Sequence, residues 1–178
     1  MPIKVAAALK RAKRIRLMLF DVDGVLTDGR LWYGPSGEAL KGFNVLDGHG
    51  IRMLAQSGVA VAILSGRSSP AVAQRAAELG IAHVLQGIDD KLAAVGPLAG
   101  RLGVTLEATA FMGDEVTDLP LMRRCALACA PRQAHALVLK HAHYVARAPA
   151  GGGAAREICE FVMRAQGTLE AALDRYLK

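Results

Sequence analysis

Asp21 and Asp23 stand one residue apart at the end of an apolar run, in the segment RLMLFDVDGVLTDG (Arg16 to Gly29). Two carboxylates at this spacing, followed by Gly24, form a potential metal site and a potential nucleophile-plus-acid pair. Two later apolar runs also end in reactive residues. Val61-Ala62-Ile63-Leu64 leads into Ser65-Gly66-Arg67, and Ala110-Phe111-Met112 leads into Gly113-Asp114-Glu115, with Asp118 further on. Clustered carboxylates repel unless a cation joins them, and an all-oxygen ligand set favours Mg2+. Ser65 and the backbone N–H groups around Gly66 could donate to phosphate oxygens. Lys91, after the loop Gly87 to Asp90, opens a helix and could supply a fixed positive charge. Phosphoryl transfer needs this set: an in-line nucleophile and positive charge over the equatorial oxygens. No G-x-x-x-x-G-K-[ST] loop is present, which excludes a Walker-type nucleotide hydrolase.

The elements that must position these residues alternate along the chain. A helix over Ile3 to Lys13 precedes a strand near Ile15 to Phe20. Two short strands, Arg30 to Tyr33 and Glu38 to Gly42, flank Gly34-Pro35-Ser36-Gly37 and read as a β-hairpin with a four-residue loop. A helix over Gly48 to Gln56 follows, then the strand Val59 to Leu64, the helix Pro70 to Leu79 and a short strand over His83 to Leu85. A helix over Asp90 to Leu102 is strained by Gly96-Pro97. The strand Ala108 to Met112, a short helix over Leu119 to Arg124, the strand Leu127 to Ala130, a helix from Gln133 and the strand His143 to Val145 continue the pattern. After Gly151-Gly152-Gly153 the chain closes with helices near Ala154 to Ala165 and Leu169 to Leu177. Continuous apolar strands separated by helices imply an α/β fold, a Rossmann-like parallel sheet covered on both faces. In such a sheet the strand ends point the same way, so Asp21, Asp23, Ser65, Asp114 and Asp118 could converge at one edge, where open α/β folds bind ligands. The hairpin must project from the sheet and, being marginal alone, is expected to pack on another subunit.

Composition bounds the rest. The chain has 178 residues, 52% hydrophobic, enough for one compact domain with a sizeable core. No apolar run nears the roughly 18 residues of a membrane span. The N-terminal stretch lacks the apolar core and cleavage signal of a secretory leader, so the cytoplasm is the expected compartment. Net charge is +6, concentrated early in Lys4, Lys10, Arg11, Lys13, Arg14 and Arg16. These read as a solvated helix face rather than a nucleic-acid arm, since aromatics for base stacking are only 4%. A basic surface also suits anionic small molecules. Cys125, Cys129 and Cys159 match no zinc spacing and read as buried thiols. Each reactive cluster has a plainer reading alone: Asp21 and Asp23 as a loop start, Ser65 as a helix cap, Lys91 as a solvated lysine, and Arg52 and Arg75 as helix-surface residues. The recurrence at three strand ends favours a site.

DVDGVLTDG, LSGR, Lys91 and GDEVTD resemble the four motifs of the haloacid dehalogenase superfamily. FNVLDGHGI (Phe43 to Ile51), the hairpin at about 30–42 and GGGAAREICE (Gly151 to Glu160), in the tail at about 151–178, are similar to its capless subfamily of 3-deoxy-D-manno-octulosonate 8-phosphate phosphatases. The resemblance implies that Asp21 is the nucleophile, forming an aspartyl-phosphate and binding Mg2+, and that Asp23 protonates the leaving alkoxide and then activates water. It adds the Asp23 backbone carbonyl and Asp114 as metal ligands, Glu115 and Asp118 as their support, and Ser65 and Lys91 as holders of the phosphoryl group. An anionic sugar-acid phosphate would meet Arg52, Gly66, Arg67, Arg75 and the stretch Asn44, Val45, Leu46, Asp47 and Gly48. Arg156 would reach an adjacent subunit of a homotetramer. No nucleic acid or membrane partner is implied. Glu115 and Leu46 depart from the Asp and Arg that many relatives carry, the second removing one possible substrate cation. A nine-carbon, sialic-acid-type 9-phosphate is the nearest alternative substrate, and a non-catalytic regulatory or oligomerisation module the alternative of another class.

Overall fold

The computed structural model describes residues 3–35 and 37–177. Six parallel strands form the sheet, in the order β5-β4-β1-β6-β7-β8: β1 (Leu17–Phe20), β4 (Ala60–Leu64), β5 (His83–Leu85), β6 (Thr109–Met112), β7 (Leu127–Ala130) and β8 (Tyr144–Val145). β1 lies between β4 and β6, where the chain turns from building one half of the sheet to the other. Loops at such a switch point diverge and leave a crevice at the carboxyl edge. Phe20 pairs with both Ile63 and Met112, so the residues that follow the three strands emerge side by side. The alternation of side chains along a strand explains why the runs are continuously apolar. Met18 and Phe20 pack with α1 (Ile3–Ala12), α2 (Val45–Gln56), α3 (Pro70–Leu79) and α7 (Ala154–Gln166), whereas Leu17 and Leu19 pack with α4 (Lys91–Arg101), α5 (Leu119–Met122) and α6 (Ala136–His141). Both faces of β1 are therefore covered, and its four residues are fully buried.

The hairpin forms a separate antiparallel pair, β2 (Trp32–Gly34) and β3 (Gly37–Leu40). Its strands stop short of the expected outer ends, Arg30 and Gly42, and its loop is tighter than the expected four residues because Gly34 pairs directly with Gly37. Of the expected loop, Ser36 lies outside the described residues. Trp32, Tyr33 and Leu40 are 53%, 64% and 68% exposed, an apolar surface turned away from the chain's own core.

Several helix limits differ from those expected. α2 begins three residues before Gly48, because Asn44 caps it: Asn44 Oδ1 accepts from the Leu46 N–H at 2.8 Å. α6 begins at Ala136 rather than Gln133, since the chain first makes a turn in which Ala134 donates to the Pro131 carbonyl. α4 continues through Pro97, held by the buried side chains of Val95, Leu98 and Ala99. The last helix, α8 (Leu169–Asp174), ends before Leu177. The three cysteines are buried and free, and no described helix is long and apolar enough to cross a membrane.

Candidate active site

Asp21 is the first residue past β1. Its backbone N–H donates to the Met112 carbonyl at 3.0 Å, which fixes it beside the end of β6. One carboxylate oxygen, Oδ1, accepts from the Val22 N–H at 2.7 Å, and Oδ2 faces Lys91 Nζ at 2.8 Å. Lys91 is the first residue of α4, behind Asp90, whose carboxylate accepts from the Ala93 N–H and caps the helix. The Lys91 ammonium is buried above the Phe111 ring and also donates to Asp118 Oδ1 at 2.6 Å. Asp118 is fully buried, and its other oxygen accepts from the N–H groups of Asp114 and Glu115 at 2.9 and 3.2 Å. Both Asp118 oxygens are thus occupied by protein donors.

Asp114 is different. Its Oδ1 is buried and has no hydrogen-bond partner. Among the described residues, Asp21, Asp114 and Asp118 bring carboxylate oxygens within 4.8 Å of one another. A buried orphan acceptor costs about 1–3 kcal/mol unless something pairs with it. A hard cation held between Asp21 and Asp114 would pair with it, so this donor set fits Mg2+. Burial raises the Asp21 pKa to about 6, with repulsion from Asp118 adding and Lys91 opposing. Burial also raises Asp114 to about 7, helped by Asp21 and Asp118. Burial works to lower Lys91, but Asp21 and Asp118 outweigh it and raise its pKa. The site is therefore short of positive charge. Gly24 allows the close approach: its φ is +78°, and a Cβ there would lie 2.1 Å from Asp114 Oδ2.

Asp21, Asp23, Ser65, Gly66, Arg67 and Lys91 line one cavity of about 410 Å³, together with Asp114 and Glu115. Ser65 is buried just past β4, anchored by donation from its N–H to the Leu85 carbonyl at 2.9 Å. The Asp23 carboxylate lies outside the acidic trio, so its side chain is not one of the converging metal ligands. It faces Lys41 and Arg67 instead. Lys41 and Glu38, for which the sequence carries no site signal, meet around it. The Glu115 side chain folds back on its own backbone, accepting from the Val116 N–H at 2.6 Å. Its extra methylene is accommodated in that turn.

The expected substrate contacts from α2 and α7 do not border this cavity within one chain. Asp47 is buried and caps α7, accepting from the N–H groups of Gly153 and Arg156 at 3.1 and 2.8 Å. Burial raises its pKa, against those backbone donors. Asn44 Nδ2 donates to the Gly151 carbonyl at 3.2 Å, tying the same two segments together. Gly48 leaves room for Arg75, which pairs with Glu78 at 3.1 Å, and Arg52 donates to the Glu78 carbonyl. Arg156 packs against Gly50 and pairs with Glu160. Val45 and Leu46 are exposed. The sequence places Arg52, Arg75 and Arg156 on helices, as observed, but it carries no signal for which side of the molecule they face.

The haloacid dehalogenase-like hydrolase family matches residues 81–158. The 3-deoxy-D-manno-octulosonate 8-phosphate phosphatase KdsC of Escherichia coli K12 is 44% identical over 167 residues, covering 94% of this chain and 89% of the relative. A crystal structure of a probable YrbI family phosphatase from Pseudomonas syringae pv. phaseolica 1448a superposes with a TM-score of 0.95 at 48% identity, covering 97% of this chain and 98% of the other. The 3-deoxy-D-manno-octulosonate 8-phosphate phosphatase of Moraxella catarrhalis, solved with magnesium, phosphate and KDO, gives a TM-score of 0.92 at 38% identity, covering 95% and 97% of the two chains.

Proposed function

The chain belongs to the KdsC family of haloacid dehalogenase-like phosphatases, and from that premise we propose that it hydrolyses 3-deoxy-D-manno-octulosonate 8-phosphate to the free sugar acid and phosphate, using Mg2+. The observation that carries this reading is the orphaned, buried Asp114 oxygen beside Asp21 and Lys91 at the carboxyl edge of the sheet. Such a donor set suits a hard divalent cation.

The residues divide the work as follows. An Asp21 oxygen attacks phosphorus, forming an acyl-phosphate bond as the bond from phosphorus to the sugar C8 oxygen breaks. Asp23 gives its proton to that oxygen, so the sugar leaves as an alcohol. Water then attacks phosphorus, Asp23 takes its proton, and Asp21 is released as a carboxylate. Lys91 stays beside Asp21 through both steps and holds a phosphoryl oxygen along with the Ser65 hydroxyl and the Gly66 N–H. Asp21, Asp114 and the Asp23 backbone carbonyl would hold Mg2+, which would supply positive charge where negative charge gathers. Asp118 fixes the backbone of Asp114 and the ammonium of Lys91.

The sugar end of the substrate is assigned to Arg67, with Arg52 and Arg75 as further cations and Arg156 reaching from an adjacent subunit of a homotetramer; Asp47, which caps α7, is left out. The exposed apolar hairpin, with Val45 and Leu46, supports that assembly. Trp32→Asp with Leu40→Asp is expected to convert the oligomer to a smaller species in sedimentation. An unchanged mass would remove the hairpin from the interface. The function itself is tested by parallel kcat/KM measurements with the eight-carbon 8-phosphate and a nine-carbon 9-phosphate in Mg2+. A nine-carbon preference of about tenfold or more, a difference of about 1.4 kcal/mol, would overturn the substrate assignment.

A further inference from the structure

Lys41 follows β3 at the hairpin's exit, and its side chain is only 1% exposed. A buried ammonium needs anions around it. Its Nζ contacts Asp23 Oδ1 and lies 3.3 Å from Glu38 Oε2. The other Asp23 oxygen faces Arg67 Nε at 3.8 Å. Glu38 is itself fixed, since Oε1 accepts from Ser69 Oγ at 2.6 Å and Oε2 from Arg67 Nη2 at 3.3 Å. Arg67 Nη2 also donates to Tyr33 Oη at 3.1 Å. The Asp23 carboxylate is thus hydrogen-bonded on one oxygen by Lys41 of the hairpin and faces, on the other, the more distant charge of Arg67 from the turn after β4. Glu38 ties those two cations together.

We infer that Lys41 is a positioning residue: through it and Glu38, the hairpin sets the orientation of the carboxylate that exchanges protons during the reaction. The inference rests on the phosphatase reading, in which Asp23 is the acid and base. Replacing a buried ion pair by apolar groups is often neutral for stability, so the fold alone does not require a lysine here. Proton transfer, in contrast, needs the donor within hydrogen-bond reach of the leaving oxygen, and a displacement of about 1 Å can cost on the order of 100-fold in rate. A side chain held only by its own torsions would not keep that position, whereas one hydrogen-bonded to a buried, anchored ammonium does.

The test compares two leaving groups in the full-length chain with Mg2+. A sugar alkoxide must be protonated to leave, and 4-nitrophenolate need not be. Because kcat/KM reports steps only up to release of the alcohol, it isolates the acid role. Lys41→Met is expected to lower kcat/KM for the sugar-acid 8-phosphate by about 30-fold or more, and that for 4-nitrophenyl phosphate by about threefold or less. KM for the sugar phosphate should stay within about threefold of wild type, with the loss in kcat. Equal losses on both substrates, or a raised KM with kcat unchanged, would overturn the inference. If Lys41→Met does not fold, as judged by a thermal melt, Glu38→Gln decides. It keeps Lys41, loosens the link to Arg67, and should give the same selective loss at smaller size; an unselective effect would overturn the inference. An inactive wild-type chain in this assay would instead count against the phosphatase reading itself.

Discussion

Removing the metal should make the fold lose stability as pH rises through the neutral range. Burial holds Asp21 at about 6 and Asp114 at about 7, both above the ordinary carboxyl value of 3.8. A carboxyl whose folded pKa lies above its unfolded one stabilises the fold while protonated. That contribution is whole below pH 3.8 and is lost as pH climbs past about 6 and then about 7. Each tenfold change in proton affinity is worth about 1.4 kcal/mol, and the two groups share one mutual repulsion, so the loss is a few kcal/mol rather than the full sum. For a chain of this size that is a fall of roughly 5–10 °C in Tm. Two other groups titrate nearby. Asp47 is raised by burial and acts in the same direction, whereas burial lowers His143, which adds stability as pH rises. Subtracting the profile of Asp114→Asn removes both. The assay is a thermal melt in chelator from pH 5 to 8, repeated with Mg2+. Metal-free Asp114→Asn should melt above metal-free wild type at pH 8, and the gap should narrow as pH falls toward 5. Mg2+ should stabilise wild type more at pH 8 than at pH 5, and Asp114→Asn little at either. Parallel metal-free profiles for the two proteins would refute the reasoning.

Lys91→Met strands the fully buried Asp118 and the buried Asp21 without their shared cation, and should cost about 3–5 kcal/mol in urea unfolding. Asp47→Asn turns an amide N–H toward the N–H of Gly153 or Arg156, and should destabilise by about 1–3 kcal/mol in the same measurement. Gly24→Ala places a methyl group 2.1 Å from Asp114 Oδ2 in a backbone conformation with φ of +78°. It should abolish the Mg2+-induced thermal shift, as read by the same melt.

The reactive edge was legible because the apolar runs of β1, β4 and β6 each break off at a strand end. Asp21 and Ser65 stand at the first two breaks, and Asp114 follows Gly113 at the third. The order of the strands brings them to one cavity. Helix starts were less legible where caps compete with other signals. Asn44 is a sound cap, but Gly48, Gly50 and the exposed Val45 and Leu46 obscure the helix that it begins. Asp47, expected among the substrate contacts, instead caps α7, a role set by residues more than a hundred positions away. Lys41 and Glu38 have no local signal at all. Charges at a hairpin edge are ordinarily solvated, and only the hairpin's fold across the turn after β4 buries them against Asp23.

Phosphate release from 3-deoxy-D-manno-octulosonate 8-phosphate, measured for wild type and Asp21→Asn, tests the central claim most directly. Wild type should turn over in Mg2+, fall silent in chelator and recover when Mg2+ is restored. Asp21→Asn, which keeps the shape but cannot form the acyl-phosphate, should lose on the order of 10⁴-fold or more. Turnover by Asp21→Asn within about tenfold of wild type would contradict the assignment of Asp21 as nucleophile.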